Sequence, residues 1–110
     1  MNIENIARSY FKSFENMNID ELSEMFDEDI ILKDWNIEAH GKQLVLEANK
    51  NIFNSVGSIN VLVDNLYVSG RTAIAQLSIH VDGEPALPVV DIISFDESNR
   101  INSIIAYRGN

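Results

Sequence analysis

Apolar residues recur at helical spacing in the first part of the chain and on alternate positions in the last part. Ile3, Ile6, Ala7, Tyr10, Phe14 and Met17 share one face of a 3.6-residue repeat, which predicts an amphipathic helix over 2–16. Asn18 is placed to cap a second short helix. Asp20 and Glu21 fall in its first turn, where the positive end of the helix dipole favours acids, and Leu22, Met25 and Phe26 form its buried side. Ile30, Ile31 and Leu32 then predict a short strand that ends around Asp34 and Trp35. Gly41 precedes a third helix with Val45, Ala48, Ile52, Phe53 and Val56 on one face, and Gly57 falls where a helix C-terminus takes a left-handed residue.

From Ser58 onward the period drops to two. Four strands are predicted at about 58–69, 71–82, 86–96 and 100–108, with turns at Ser69-Gly70, Asp82-Gly83 and Ser98-Asn99. Strands joined this tightly are antiparallel neighbours. Helices first and a meander afterward predict an α+β fold, three N-terminal helices held in a curved antiparallel sheet. The whole chain, 1–110, has the length of one domain.

Three polar residues stand out against this pattern. Side chains alternate along a strand, so Leu87, Val89, Asp91, Ile93 and Phe95 share a face on which Asp91 alone is polar. The opposite face, Pro88, Val90, Ile92 and Ser94, is also largely apolar, so parity does not say which side is inside. Flanked by apolar residues, Asp91 should have a raised pKa because desolvation penalises its charged form. It is either a functional acid or an Asp bonded to a neighbour or facing a partner chain. Asp34 shares parity with Ile30 and Leu32, while an Asp at a strand end often serves only to cap a turn. Tyr10 lies inside the apolar stripe of the first helix, where a Tyr is usually core with its hydroxyl bonded. Together the three could place one base and two donors around an apolar cavity.

Charge narrows the partners. Eight Lys and Arg against 17 Asp and Glu give a net charge of −9, which repels nucleic-acid phosphates and anionic membrane surfaces. The chain has no cysteine, so disulfides, thiolate metal sites and a Cys nucleophile are excluded. The stretch Met1–Tyr10 lacks the apolar centre of a signal sequence, and no apolar run approaches the ~20 residues that cross a bilayer. A cytoplasmic protein is expected. Nothing brings His40 and His80 together as metal ligands. Asp27-Glu28-Asp29 lacks the alternating oxygens and Gly of a calcium loop and reads as a solvated turn. No metal is expected.

Two stretches carry a family resemblance. VVDIISFDESNRINSIIAYRGN, from Val89 to Asn110, is similar to the closing hairpin of ketosteroid isomerases: an Asp on the strand, Phe-Asp, a turn, a basic residue with Ile, and a late Ala-Tyr. YFKSFENMNIDELSEMFDEDIILKDW, from Tyr10 to Trp35, resembles the same family's first two helices and first strand, including the spacing from its helix Tyr to its catalytic Asp. In order and pattern the similarity covers nearly the whole chain. The wider group includes SnoaL-like polyketide cyclases and nuclear transport factor 2, whose cone-shaped fold the resemblance implies.

Carried over, the resemblance makes Asp34 the general base that moves a proton between two carbons. Tyr10 becomes the phenol that donates to the developing enolate oxygen, and Asp91 a second donor kept protonated by apolar surroundings. It places Phe14, Trp35, Asn49 and Phe53 around the same pocket. Trp35 stands where the isomerases have Pro, the loop from Asp34 to Gly41 is shorter, and Asn49 replaces a supporting Tyr. Trp at this place is common among SnoaL-like proteins, in which a strand Asp can itself be the acid or base.

The implied function is a cofactor-independent isomerase or cyclase acting on a small apolar carbonyl compound, as a homodimer through the sheet. The alternative is a non-catalytic small-ligand-binding or dimerisation module on the same fold. A cavity too small or too closed for a ligand would favour that alternative.

Overall fold

A computed structural model describes residues 2–110; Met1 lies outside the described residues. The first helix, α1, spans Ile3–Glu15. Asn2 caps it, its side chain accepting from the Asn5 N–H at 2.8 Å. Helix α2 spans Ile19–Met25, with the Asn18 side chain accepting from the Glu21 N–H at 3.1 Å. Strands β1 (Phe26–Lys33) and β2 (Glu38–His40) follow, then helix α3 (Lys42–Asn54). The meander is β3 (Ile59–Ser69), β4 (Thr72–Val81), β5 (Leu87–Phe95) and β6 (Ile101–Arg108).

All six strands form one sheet in the order β2-β1-β6-β5-β4-β3. Every pairing is antiparallel except β1 with β6, which run parallel, so the sheet is mixed. The turns are as the sequence suggests, and Gly70, Asp82, Gly83 and Asn99 all have positive φ. The inner face is now defined: Val89, Asp91, Ile93 and Phe95 are buried, while Pro88 is exposed and Val90, Ile92 and Ser94 are half-buried. Across the outer face Tyr67, Ile74, Ile92 and Ile105 form one row through four strands.

Four expectations change. Phe26 starts β1 instead of ending α2; it is fully buried and pairs with Ile101 of β6, so tertiary burial outweighs the helical pattern. The acidic run Asp27-Glu28-Asp29 lies within β1, at the interruption in its register with β6, and not in a turn. His40 belongs to β2, a three-residue strand the alternation is too short to reveal. Gly57 is not the left-handed end of α3, which closes at Ser55 in a right-handed conformation. Gly57 instead donates its N–H to Asp82 Oδ1 at 2.6 Å, and a Cβ there would come within 3.0 Å of that oxygen.

Helix α1 crosses the inner face against β3 and β4. It is fastened there by Glu15, whose Oε2 accepts from the Val61 N–H of the edge strand β3 at 2.8 Å. That bond, foremost, holds the Glu15 carboxyl below the usual range. Helix α3 packs on β1, β2 and α2. The two long helices thus cover the concave side and leave a chamber between themselves and the strands.

Candidate active site

Asp91 sits at the middle of β5 with Ala75 of β4 on one side and Ala106 of β6 on the other. Two methyl-sized neighbours leave space above the carboxyl, and Tyr10, Phe11 and Phe14 of α1 line it. The space left is lined by Tyr10, Phe14, Asp34, Trp35, Asn49 and Asp91 among others, with inward residues of β3, β4 and β6 such as Val61, Leu77 and Ile104 making its apolar walls. Its volume is about 90 Å³.

Each polar group reaches the chamber by a different local device. Tyr10 is held by the aromatic stripe of α1, its ring 5.4 Å from Phe11 and 6.2 Å from Phe14, and 6.3 Å from Phe26 of β1. Burial pushes its phenol well above the usual value, reinforced by the charges of Asp91 and Asp34. The hydroxyl is therefore a donor throughout the working pH range. Asp91 is 8% exposed and, among the described residues, has no hydrogen-bond partner for its side chain. Burial first, and the nearby charge of Asp34 second, push its carboxyl up to about 7.

Asp34 combines both roles considered for it. It follows the last residue of β1, and its Oδ1 accepts from the N–H groups of Asn36 and Ile37, both at 2.7 Å. Its own N–H donates to the Ile37 carbonyl at 2.9 Å, closing the turn to β2. Only one carboxylate oxygen is engaged in this way, and the same residue lines the chamber.

Asn49 faces the site from α3 and is 3% exposed. Its Nδ2 is buried with no hydrogen-bond partner. An unmet buried donor costs about 1–3 kcal/mol, and a half turn about the soft terminal torsion of Asn can bring the group to a ligand oxygen. Asn49→Leu is accordingly expected to raise the melting temperature of the free protein while weakening any ligand that offers an oxygen. Thermal denaturation of the two proteins checks this, and a lower melting temperature for Asn49→Leu would mean that the amide is satisfied within the fold.

Of the remaining expected pocket residues, Phe14 and Trp35 line the chamber, with Trp35 at its mouth, 43% exposed. Phe53 does not. It stands behind Phe14, the two rings edge to face at 5.1 Å, and its neighbour Ile52 lines the chamber in its place. One helical position is a 100° rotation, which an apolar stripe this broad does not resolve. The wall residues Leu77, Val89 and Ile104 could have been read from strand parity once the inner face was known. His40 pairs with Glu38 at 2.8 Å and His80 Nδ1 contacts the Glu84 carbonyl at 3.0 Å; neither lines the chamber. Among the described residues no cluster of acids and histidines suits a metal ion. No helix among them is long and apolar enough to cross a membrane.

The profile of the SnoaL-like domain family matches residues 7–104. No curated protein matches the chain by sequence. Among solved structures, a candidate SnoaL-like polyketide cyclase from Shewanella denitrificans OS-217 superimposes with a TM-score of 0.86 at 16% identity, over 97% of this chain and 90% of that one. A candidate ketosteroid isomerase from Kribbella flavida DSM 17836 gives 0.85 at 16% identity, over 98% of this chain and 78% of that one. An NTF2-like protein of unknown function from Cytophaga hutchinsonii ATCC 33406 gives 0.83 at 9% identity, over 99% and 91%. At these identities the likeness is one of fold.

Proposed function

The chain belongs to the SnoaL-like domain family of the NTF2-like superfamily, and from that premise we propose that it is an acid–base enzyme that isomerises or cyclises a small apolar carbonyl compound. The observation that carries this reading is the Asp91 carboxyl, buried, without a partner and held at about 7, in one chamber with a phenol and a second carboxylate. Strongly displaced carboxyls of this kind in a cleft mark sites of proton chemistry.

The chemistry follows from the residue types. Asp34, as carboxylate, takes a proton from the carbon next to the substrate carbonyl. The electron pair of that C–H bond moves toward the carbonyl oxygen, where negative charge develops. Tyr10 and protonated Asp91 donate to this oxygen, and Asn49 has an N–H free to join them. Collapse of the enolate returns the proton from Asp34 to a different carbon, or the enolate carbon attacks a second carbonyl, whose C=O π bond opens to an alkoxide that takes the proton back from Asp34 as the ring closes. Donors fixed in a dry chamber need no reorganisation when the charge appears, and a general base contributes about 10²–10⁴ in rate. A cofactor is not required.

A chamber of about 90 Å³ is below the ~150 Å³ of an apolar cavity that takes benzene. This small volume is what favours the second reading, a non-catalytic ligand-binding module on the same fold. Fluorescence titration with 2-naphthol separates the two, because a naphtholate imitates an enolate. Binding by the wild type with a lowered naphthol pKa, weakened in Tyr10→Phe and in Asp91→Asn, is the expected result. No binding by the wild type would remove the oxyanion site and leave the module.

A further inference from the structure

The two carboxyls of the chamber stand at one level of the sheet. β1 ends at Lys33, in register with Ile105 of β6, so Asp34 follows level with Ala106, and Ala106 is itself in register with Asp91 of β5. Asp34 and Asp91 therefore flank Ala106, which carries only a methyl group and lines the same space. Both acids line the chamber, and they are near enough for the charge of Asp34 to raise the Asp91 carboxyl.

Every other element around this pair contributes a neutral side chain. α1 supplies Tyr10, Phe11 and Phe14, α3 supplies Asn49 and Ile52, and β3, β4 and β6 supply only aliphatic residues. The Tyr10 phenol keeps its proton and adds no charge. Among the described residues no Lys, Arg or His lines the chamber, and none lies within ion-pair distance of Asp34 or Asp91. Lys33 and Arg108 border an adjoining notch and not the chamber itself. Once Asp91 loses its proton, the chamber holds two negative charges without a counter-charge, in a chain whose net charge is −9. A buried charge without a partner is costly, and a ligand that brings the opposite charge relieves that cost. Four aromatic side chains, Tyr10, Phe11, Phe14 and Trp35, line the same space, and aromatic rings attract cations.

We propose that the chamber is also a binding site for a small alkylammonium ion, its nitrogen held by the Asp91 carboxylate with Asp34 as the second negative charge, and its alkyl part against the aromatic side chains. This site goes beyond the carbonyl reaction and works against it. An ammonium has three N–H donors and no acceptor, which suits oxygens that no protein donor engages. Asp91 offers both of its oxygens, and Asp34 the one that the turn into β2 leaves free. The bound cation keeps Asp91 ionised and so removes the proton that a donor to the enolate must carry. A small amine is therefore an inhibitor of the proposed reaction. The two ligand classes divide by pH, oxyanions below about 7 and cations above it.

The test uses n-butylamine and 1-butanol, which have the same carbon chain and differ in charge, since alkylammonium groups keep their proton to about pH 10. Trp35 is the chain's one tryptophan and lies at the mouth, so its fluorescence reads occupancy. Near pH 8 the amine is expected to bind about tenfold more tightly than the alcohol. Its affinity should fall about tenfold from pH 8 to pH 6, as the ionised fraction of Asp91 falls from about nine tenths to one tenth. Affinity for the alcohol should stay level. Asp91→Asn should bind the alcohol as the wild type does and lose both the preference for the amine and its pH dependence. Asp34→Asn, which keeps the turn, should retain the pH dependence at a weaker affinity. An amine that binds no better than the alcohol near pH 8, or whose advantage persists in Asp91→Asn, overturns the cation site. Binding of 2-naphthol near pH 6 tests the proton-transfer reading separately, so either reading can fail without the other.

Discussion

Asp34→Asn is expected to slow proton transfer by about 10²–10⁴ while leaving ligand affinity and stability close to wild type. The separation comes from the two oxygens of the side chain. Oδ1 accepts from the N–H groups of Asn36 and Ile37, and the amide oxygen of Asn can do the same, so the turn into β2 survives. What the substitution removes is the negative oxygen that accepts the substrate proton. Exchange of the α-protons of a small cyclic ketone for deuterium, followed by NMR, measures this without knowledge of the natural substrate. Asp34→Ala, which loses the turn as well, should show the same loss of exchange together with a lower melting temperature. Exchange at the wild-type rate in Asp34→Asn would eliminate Asp34 as the base and transfer that role to Asp91.

The second large effect is on stability. The Asp91 carboxyl keeps its proton up to about pH 7 in the folded chain, against an ordinary value of 3.8. Between those values the folded state binds more protons than the unfolded one, so stability falls as pH rises through the window and levels off above it. The full loss is on the order of 4 kcal/mol, a large share of the stability of a domain this size. Groups with lowered values, such as Glu15, act in the opposite sense but only below about pH 4.5, at the lower edge of this window. The melting temperature of the wild type should therefore drop between pH 5 and 8. That of Asp91→Asn should change little and exceed the wild type at pH 8, although the variant binds naphthol poorly. Parallel melting curves for the two proteins across this range would show that Asp91 is not the group that titrates.

The Asp91 carboxyl, kept in apolar surroundings, destabilises the fold at neutral pH and is useful only when a ligand is present. Asn49 repeats the arrangement with an uncharged group, its buried Nδ2 unmet until something enters. Functional sites commonly violate the rules that stabilise the rest of the chain.

The architecture was legible because each segment has one clear period. The helical stripe of α1, the Asn18 cap and the alternation of β3 to β6 each survive in the structure within a few residues. What was not legible depends on contacts distant in sequence. The parallel pairing of β1 with β6 brings together residues 26–33 and 101–108, and nothing local announces it. The inward face of β5 could not be chosen by parity because both faces are apolar. It is decided by what lies beside it, and the small residues Ala75 and Ala106 that open the space around Asp91 carry no signal of their own in an alternating strand. Tyr10, Asp34 and Asp91 were recognisable as candidates because each is polar in an apolar pattern. Phe53 was misplaced because its helix face borders both chamber and core.

The place of β6 in the sheet has a consequence for how the molecule comes into being. β6 lies between β1 and β5, so the ribosome makes β1 and β2 long before the strand that joins them to the rest. Until residues 101–108 emerge, the nascent chain carries Ile30 and Leu32 on an unpaired edge, open to wrong partners. It also lacks the wall formed by Ile104 and Ala106. Loop closure over some seventy residues is entropically slow compared with the local hairpins. A ligand able to hold Asp34 and Asp91 together would then act as a clamp on the last step of folding, favouring the chain that has just closed over one that is about to reopen.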